Sequence, residues 1–252
     1  MTRVAPWYES FFDDRYLRFY PALQERPVAT EEAAHVMRIL GLSSGQRVLD
    51  LGCGTGRHSV AFAELGLEVI GLDLSEPLLE QARETAARAN VDVRWLQRDM
   101  RDLEDLDPVD ACVSLYTAFG FFGDAEDAEV LRQVTGALKP GGRFLLDITN
   151  FLGYLRRFPH EVWKETPTMV TRERNRYDPL SGVLSTRRTL FVKEGETVEL
   201  PESHVRAYLP HEIRAMLRRV GLVVEDISGT LAPASFFSWA DSPNLVCRCR
   251  RA

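Results

Sequence analysis

The sequence predicts an α/β fold. It is a doubly wound, mainly parallel sheet with helices on both faces, an N-terminal helical segment, and an antiparallel β insertion after the fifth strand. Three observations predict it. The apolar run Arg47-Val48-Leu49 enters the turn Gly52-Cys53-Gly54-Thr55-Gly56 and leaves it into a helical pattern from Arg57 to Leu65. Strand-like apolar runs then alternate with helical stretches as far as Thr149, which requires parallel strands joined by right-handed crossovers. Across residues 160–209 the periodicity changes to two, the signature of half-buried antiparallel strands.

Each element follows in order. Residues 7–40 read as helices: Phe11, Phe12, Tyr16, Phe19 and Tyr20 recur at helical spacing, and Thr30-Glu31-Glu32-Ala33 supplies an N-cap and an acidic first turn for a second helix that ends before Gly41. The second strand, Glu68-Val69-Ile70-Gly71-Leu72-Asp73, ends on a carboxylate, as does the third, Val93 to Asp99. Val109 to Tyr116 is the fourth strand, and the turn Leu138-Lys139-Pro140-Gly141-Gly142 opens the fifth, which runs to Asp147. Residues 76–90 and 124–138 are crossover helices. In the insertion, Val183 to Val192 and Val198 to Leu209 form two strands joined near Gly195, and Met169 to Tyr177 is a third partner. A helix starts at Pro210, a residue suited to a first turn, and ends before Gly221. Leu222 to Ile227 and Leu245 to Cys249 close the sheet.

Composition bounds the function. The 252 residues suffice for one large domain, and 45% hydrophobic with 27% charged residues is ordinary for a globular protein. A net charge of -6 opposes a broad nucleic-acid surface. Cys53, Cys112, Cys247 and Cys249 lack zinc-ligand spacing, so no metal is expected. The N-terminus has no apolar signal core and no run spans a membrane. A cytoplasmic protein is the expectation, with a homodimer left open.

The spacing of the glycines is the chemically informative part. A dinucleotide site of the form G-x-G-x-x-G requires glycine at position 57, where Arg57 stands. The pattern Asp50-Leu51-Gly52-Cys53-Gly54-Thr55-Gly56 instead resembles motif I of the class I S-adenosylmethionine (SAM) dependent methyltransferases. Asp73 lies about 20 residues beyond the first glycine, the offset of a ribose-binding carboxylate. The acidic ends of strands two and three and the Leu138-Lys139-Pro140-Gly141-Gly142 turn resemble the same family, in the same order, across residues 47–147. The resemblance implies SAM as cofactor. It implies cofactor-binding roles for Asp50, Gly52, Cys53, Gly54, Gly56, His58, Asp73, Leu74, Asp99, Met100, Leu115 and Tyr20. Asp99 would meet the adenine amino group with Met100 against the ring, and His58 would steady the methionyl end. The chain then divides into a helical lid (1–44), a cofactor-binding core (45–150), a substrate lobe (151–209) and the last helix with the closing strands (210–252).

Methyl transfer from a sulfonium is an in-line displacement, so the protein's task is to align a nucleophile and exclude water, with a base needed mainly for a hydroxyl acceptor. The late insertion is similar to that of bacterial small-molecule N-methyltransferases. A nitrogen or oxygen of a small organic molecule is therefore the expected acceptor. An RNA or protein methyltransferase and a catalytically silent SAM-binding scaffold are the rivals. Two residues are expected to be catalytic: His204, on the polar face that it shares with Arg206 and Tyr208, as a base, and Tyr16 on the lid. A solvated sheet face is the competing account of His204. Arg172, Arg174 and Arg176, with Arg187-Arg188, are either solvated charge or a site for an anionic group on the substrate.

Overall fold

The computed structural model describes residues 6–20, 26–167, 169–192, 195–233 and 235–252. Three helices come first: α1 (Trp7–Phe11), α2 (Asp14–Phe19) and α3 (Arg26–Ile39). Asp13 caps α2, its carboxylate accepting the N–H groups of Arg15 and Tyr16. Thr30 does not start α3 but lies inside it. Ala29, Ala33 and Val36 bury a stripe at i, i+4 and i+7, so packing carries the helix back a full turn past the capping signal.

The core then alternates as the sequence predicts: β1 (Arg47–Leu51), α4 (Arg57–Glu64), β2 (Glu68–Asp73), α5 (Glu76–Ala89), β3 (Arg94–Gln97), β4 (Val109–Ser114), α6 (Asp124–Ala137) and β5 (Leu138–Thr149). A short helix α7 (Phe151–Arg156), not expected from the sequence, leads into the insertion: β6 (Glu161–Glu165), β7 (Met169–Asp178), β8 (Val183–Val192), β9 (Thr197–Glu199) and β10 (Ser203–Arg206). The chain closes with α8 (Pro210–Arg219), β11 (Leu222–Ser228) and β12 (Asn244–Arg251).

The main sheet has the order β11-β12-β5-β4-β1-β2-β3. Strands β1 to β5 are parallel, and β12 inserts antiparallel between β5 and β11. Alternation along β1 shows why both faces are covered. Val48 packs with Ala33 and Val36 of α3 and Phe62 of α4, whereas Leu49 packs with Leu131 and Val134 of α6 and Ile213 of α8. Strands buried on both faces read as continuous apolar runs, which is why β1 and β4 were legible.

The insertion forms a second, antiparallel sheet, β10-β8-β7-β6, with β9 also on β8. The single strand expected over Val198 to Leu209 is divided into β9 and β10 around Pro201, which lacks the N–H that a continuous ladder needs. β6 gave no sequence signal because it is mostly exposed. Phe11 and Phe19 pack with Leu190, Val198 and Leu200, so the N-terminal helices rest on this second sheet. A polar clamp fixes the other end. The Tyr208 hydroxyl bonds Asp127 at 2.9 Å and Asp124 at 3.1 Å, and Arg206 pairs with Asp124 and Glu212.

Candidate active site

The site begins where β1 stops. Gly52, Gly54 and Gly56 all adopt left-handed backbone, with φ of 74°, 55° and 73°, a region glycine enters at no steric cost. The N–H groups of Gly52 and Cys53 both bond the Leu72 carbonyl of β2, at 2.8 and 3.0 Å. The three glycines serve different ends. A Cβ on Gly54 would meet nothing within 4 Å, so its backbone faces open space. A Cβ on Gly52 would stand 2.7 Å from the Ala118 methyl. A Cβ on Gly56 would lie 2.5 Å from Trp95 and 2.8 Å from Ala82. Gly56 does not line the cavity. The need for glycine there comes from packing, since its bare backbone permits Trp95 and α5 to close on the loop.

A cavity of about 330 Å³ opens over the carboxyl ends of β1, β2 and β4, where ligands bind in open α/β sheets. One end is lined by Asp50, Gly52, Cys53, Gly54, His58, Asp73, Leu74, Asp99, Met100 and Leu115. The N-terminal helices contribute Trp7, Tyr8, Phe11 and Phe12, along with Tyr16 and Tyr20. Tyr116, Phe121 and Phe122 come from the loop after β4, and Leu184, Thr186, Arg188, Ser203 and Val205 come from the second sheet.

The acidic groups at the glycine-loop end are held individually. Asp73 accepts the N–H of Gly54 on one oxygen, at 2.8 Å, and that of Ser75 on the other, at 2.9 Å. Burial raises its pKa above the ordinary carboxylate value, against the pull of those N–H groups. Asp50 is buried and accepts the Ser59 hydroxyl at 2.6 Å; burial raises its pKa too. Asp99 is also partly buried, but the hydrogen bonds of Arg101 outweigh that and hold its pKa below the ordinary value. Burial pushes the Cys53 thiol pKa far above its ordinary value, which disfavours the thiolate.

Three residues that the sequence did not connect brace this end. His58 Nε2 meets Glu32 of α3 at 2.8 Å. The Tyr116 hydroxyl donates to the same carboxylate at 2.8 Å. Burial works to raise the Glu32 pKa, but bonds from His58 and Tyr116 prevail and lower it. Tyr116 and Thr117 take positive φ, 55° and 62°, a strained conformation held by bonds to Asp147: Tyr116 N–H to its carboxylate at 3.0 Å and Thr117 N–H to its carbonyl at 2.9 Å. Arg101 is a second brace. It forks onto Asp99, pairs with Glu126 at 2.7 Å, donates to the Tyr8 hydroxyl at 3.3 Å and lies 4.2 Å over the Phe122 ring. An arginine two residues after an acidic strand end is a weak sequence signal, and its distant partners are invisible in one dimension.

The two expected catalytic residues part company. Tyr16 lines the cavity, and its hydroxyl has no hydrogen bond among the described residues. Burial drives its phenol pKa well up. His204 does not line the cavity; Ser203 and Val205 on either side of it do. His204 Nδ1 instead meets Ser185 Oγ at 2.9 Å, on the opposite face of the second sheet. Its expected role as a base is corrected on that geometry. Tyr20, expected at the cofactor, lines the cavity but accepts a bond from Arg188 Nε at 2.6 Å, on the side of the second sheet.

The fold is Rossmann-like, with a cavity that runs from a glycine loop to the N-terminal helices and the second sheet. A methyltransferase-domain family matches residues 48–142. The cypemycin N-terminal methyltransferase of Streptomyces sp is 32% identical over 197 residues, 75% of this chain and 77% of that protein. The structure of the CcbJ methyltransferase from Streptomyces caelestis covers 97% of this chain and 99% of its own, with a TM-score of 0.84 and 26% identity. SAM-bound CalS10, an amino pentose methyltransferase from Micromonospora echinaspora, shares the fold at a TM-score of 0.69 and 22% identity, over 95% of this chain and 97% of its own. The chain belongs to the class I SAM-dependent methyltransferases. Among the described residues, no helix is long and apolar enough to cross a membrane.

Proposed function

We propose that the protein transfers the methyl group of SAM to a nitrogen of a small organic molecule, with Gly52, Gly54 and Asp73 holding the cofactor. The cofactor assignment is supported by the open space at Gly54 and by Asp73, which lines the cavity beside it. SAM supplies an already activated methyl group; the residues around it orient the acceptor and keep water out. The acceptor sits under α1 and α2, against Phe121, Phe122 and the second sheet.

One observation carries the choice of nitrogen. The side chains lining the cavity from the lid, the β4 loop and the second sheet include no carboxylate and no histidine among the described residues. The acids and His58 stand at the glycine-loop end, each with a partner. A neutral amine attacks without a base, whereas a hydroxyl needs one. Tyr16, with its raised pKa, is a poor proton acceptor. The name of the 32% identical relative, an N-terminal methyltransferase, supports nitrogen as well. The test is a screen of amines and matched alcohols with labelled SAM. Label on amines supports the proposal; label confined to alcohols refutes it.

A further inference from the structure

We infer that Arg188 is a specificity residue that receives a carboxylate on the methyl acceptor. This rests on the small-acceptor reading and names the class of acceptor. Arg188 stands on β8, on the same face as Leu184 and Thr186, and lines the cavity with them. Its guanidinium is held by neutral groups: Nε donates to the Tyr20 hydroxyl at 2.6 Å and Nη1 to Ser203 Oγ at 2.7 Å. Nη2 has no hydrogen bond among the described residues. The Phe11 ring lies 5.3 Å from the guanidinium carbon.

The cross-strand carboxylate in the sheet makes no direct ion pair with it. Glu173 is the cross-strand neighbour of Arg188 in the β7–β8 register, yet its ion pair is with Lys164 at 3.7 Å. Among the described residues, no carboxylate oxygen lies within 4.0 Å of Arg188. A partly buried cation fixed by two neutral hydrogen bonds is costly unless an anion completes it. The other cations on the cavity wall are accounted for. Arg98 pairs with Asp105. Arg57 lies at the first turn of α4, beside the glycine loop, 4.0 Å over the Tyr116 ring and within the field of the Glu32 carboxylate. Arg188 stands across the cavity, on the second sheet. One guanidinium edge matches the single charge and planar geometry of a carboxylate, and among the described residues no second cation of the second sheet lines this cavity beside it for a phosphate dianion. A hydrogen-bonding site of this kind rejects the uncharged analogue strongly, because the guanidinium is then left unpaired.

Calorimetry on the full chain saturated with S-adenosylhomocysteine tests this with benzoate and benzamide as probes. Wild type should bind benzoate about tenfold or more tightly than benzamide. Arg188→Gln should erase that preference and Arg188→Lys should keep part of it, while S-adenosylhomocysteine affinity in both variants stays within about threefold of wild type. Equal or undetectable binding of both probes by wild type overturns the inference, as does a preference that survives in Arg188→Gln. A tenfold loss of S-adenosylhomocysteine affinity in Arg188→Gln also overturns it, since the cation would then serve the cofactor. Failure of the wild type itself to bind S-adenosylhomocysteine counts against the proposed function, and the two failures are read on different titrations.

Discussion

The carboxylate of Asp73, at the end of β2, accepts the backbone N–H of Gly54, in the turn after β1, at 2.8 Å. The acid therefore ties the end of β2 to the glycine loop. Asp73→Ala should remove that tie and the proposed ribose bonds together. S-adenosylhomocysteine binding should weaken by about 2–4 kcal/mol, since bonds to a charged group are worth about 1.5–3 kcal/mol each and do not add fully. Equal calorimetric affinities for wild type and variant would remove Asp73 from the cofactor site.

Gly54→Val should abolish cofactor binding through two effects. The residue has φ of 55°, which a β-branched side chain rarely adopts, and its side chain would project into the open space beside the loop. Circular dichroism should stay native while binding of SAM is lost. A variant that folds and binds normally shows that the loop does not cradle the cofactor.

Arg101 joins β3's end to α1 and to the loop after β4 through Asp99, Tyr8 and Phe122. Arg101→Ala should free α1. With S-adenosylhomocysteine bound, limited proteolysis should cut the N-terminal helices several-fold faster than in wild type, because opening rather than global unfolding governs cleavage there. An unchanged cleavage rate means that the packing of Trp7, Phe11 and Phe12 holds the N-terminal helices in place without Arg101.

Asp147 is buried, accepts Tyr116 N–H and Asn244 Nδ2, and has its pKa pushed up to about 6 by burial. Its folded value lies above the unfolded value of about 3.9. The folded chain thus holds a proton that the unfolded chain releases between those values. Stability from this group is present below about pH 4 and is lost as the pH rises through about 6. Relative to Asp147→Asn, wild type should lose about 2 kcal/mol of unfolding free energy between pH 4 and pH 7. Urea titrations at both pH values measure the difference, and a constant gap would falsify the assignment.

His204→Ala should leave turnover and S-adenosylhomocysteine affinity within about twofold of wild type, with a stability cost of about 1 kcal/mol from the lost Ser185 bond. A large fall in turnover with cofactor affinity intact would return His204 to the reaction. Tyr16→Phe is the contrasting variant, since Tyr16 does line the cavity.

The sequence alone determined the parallel core and its glycine loop. Strands covered on both faces leave continuous apolar runs in the chain, and a left-handed turn that must approach a ligand demands glycine, so both are written locally. It also determined that the insertion is antiparallel, because a period of two survives in any one-dimensional reading. Only the tertiary structure decided which face of that insertion meets the ligand. Alternation separates His204 and Arg206 from Ser203 and Val205 but is symmetric between them. The docking of the second sheet on α1 and α6 broke the symmetry, turning Ser203, Val205 and Arg188 inward and His204 away. The same holds for Gly56, whose need for glycine arises from Trp95 and Ala82, residues brought to it by folding. Glu32 reaches His58 and Tyr116 across 26 and 84 residues of chain; such contacts are set by how the layers pack, and no local pattern encodes them.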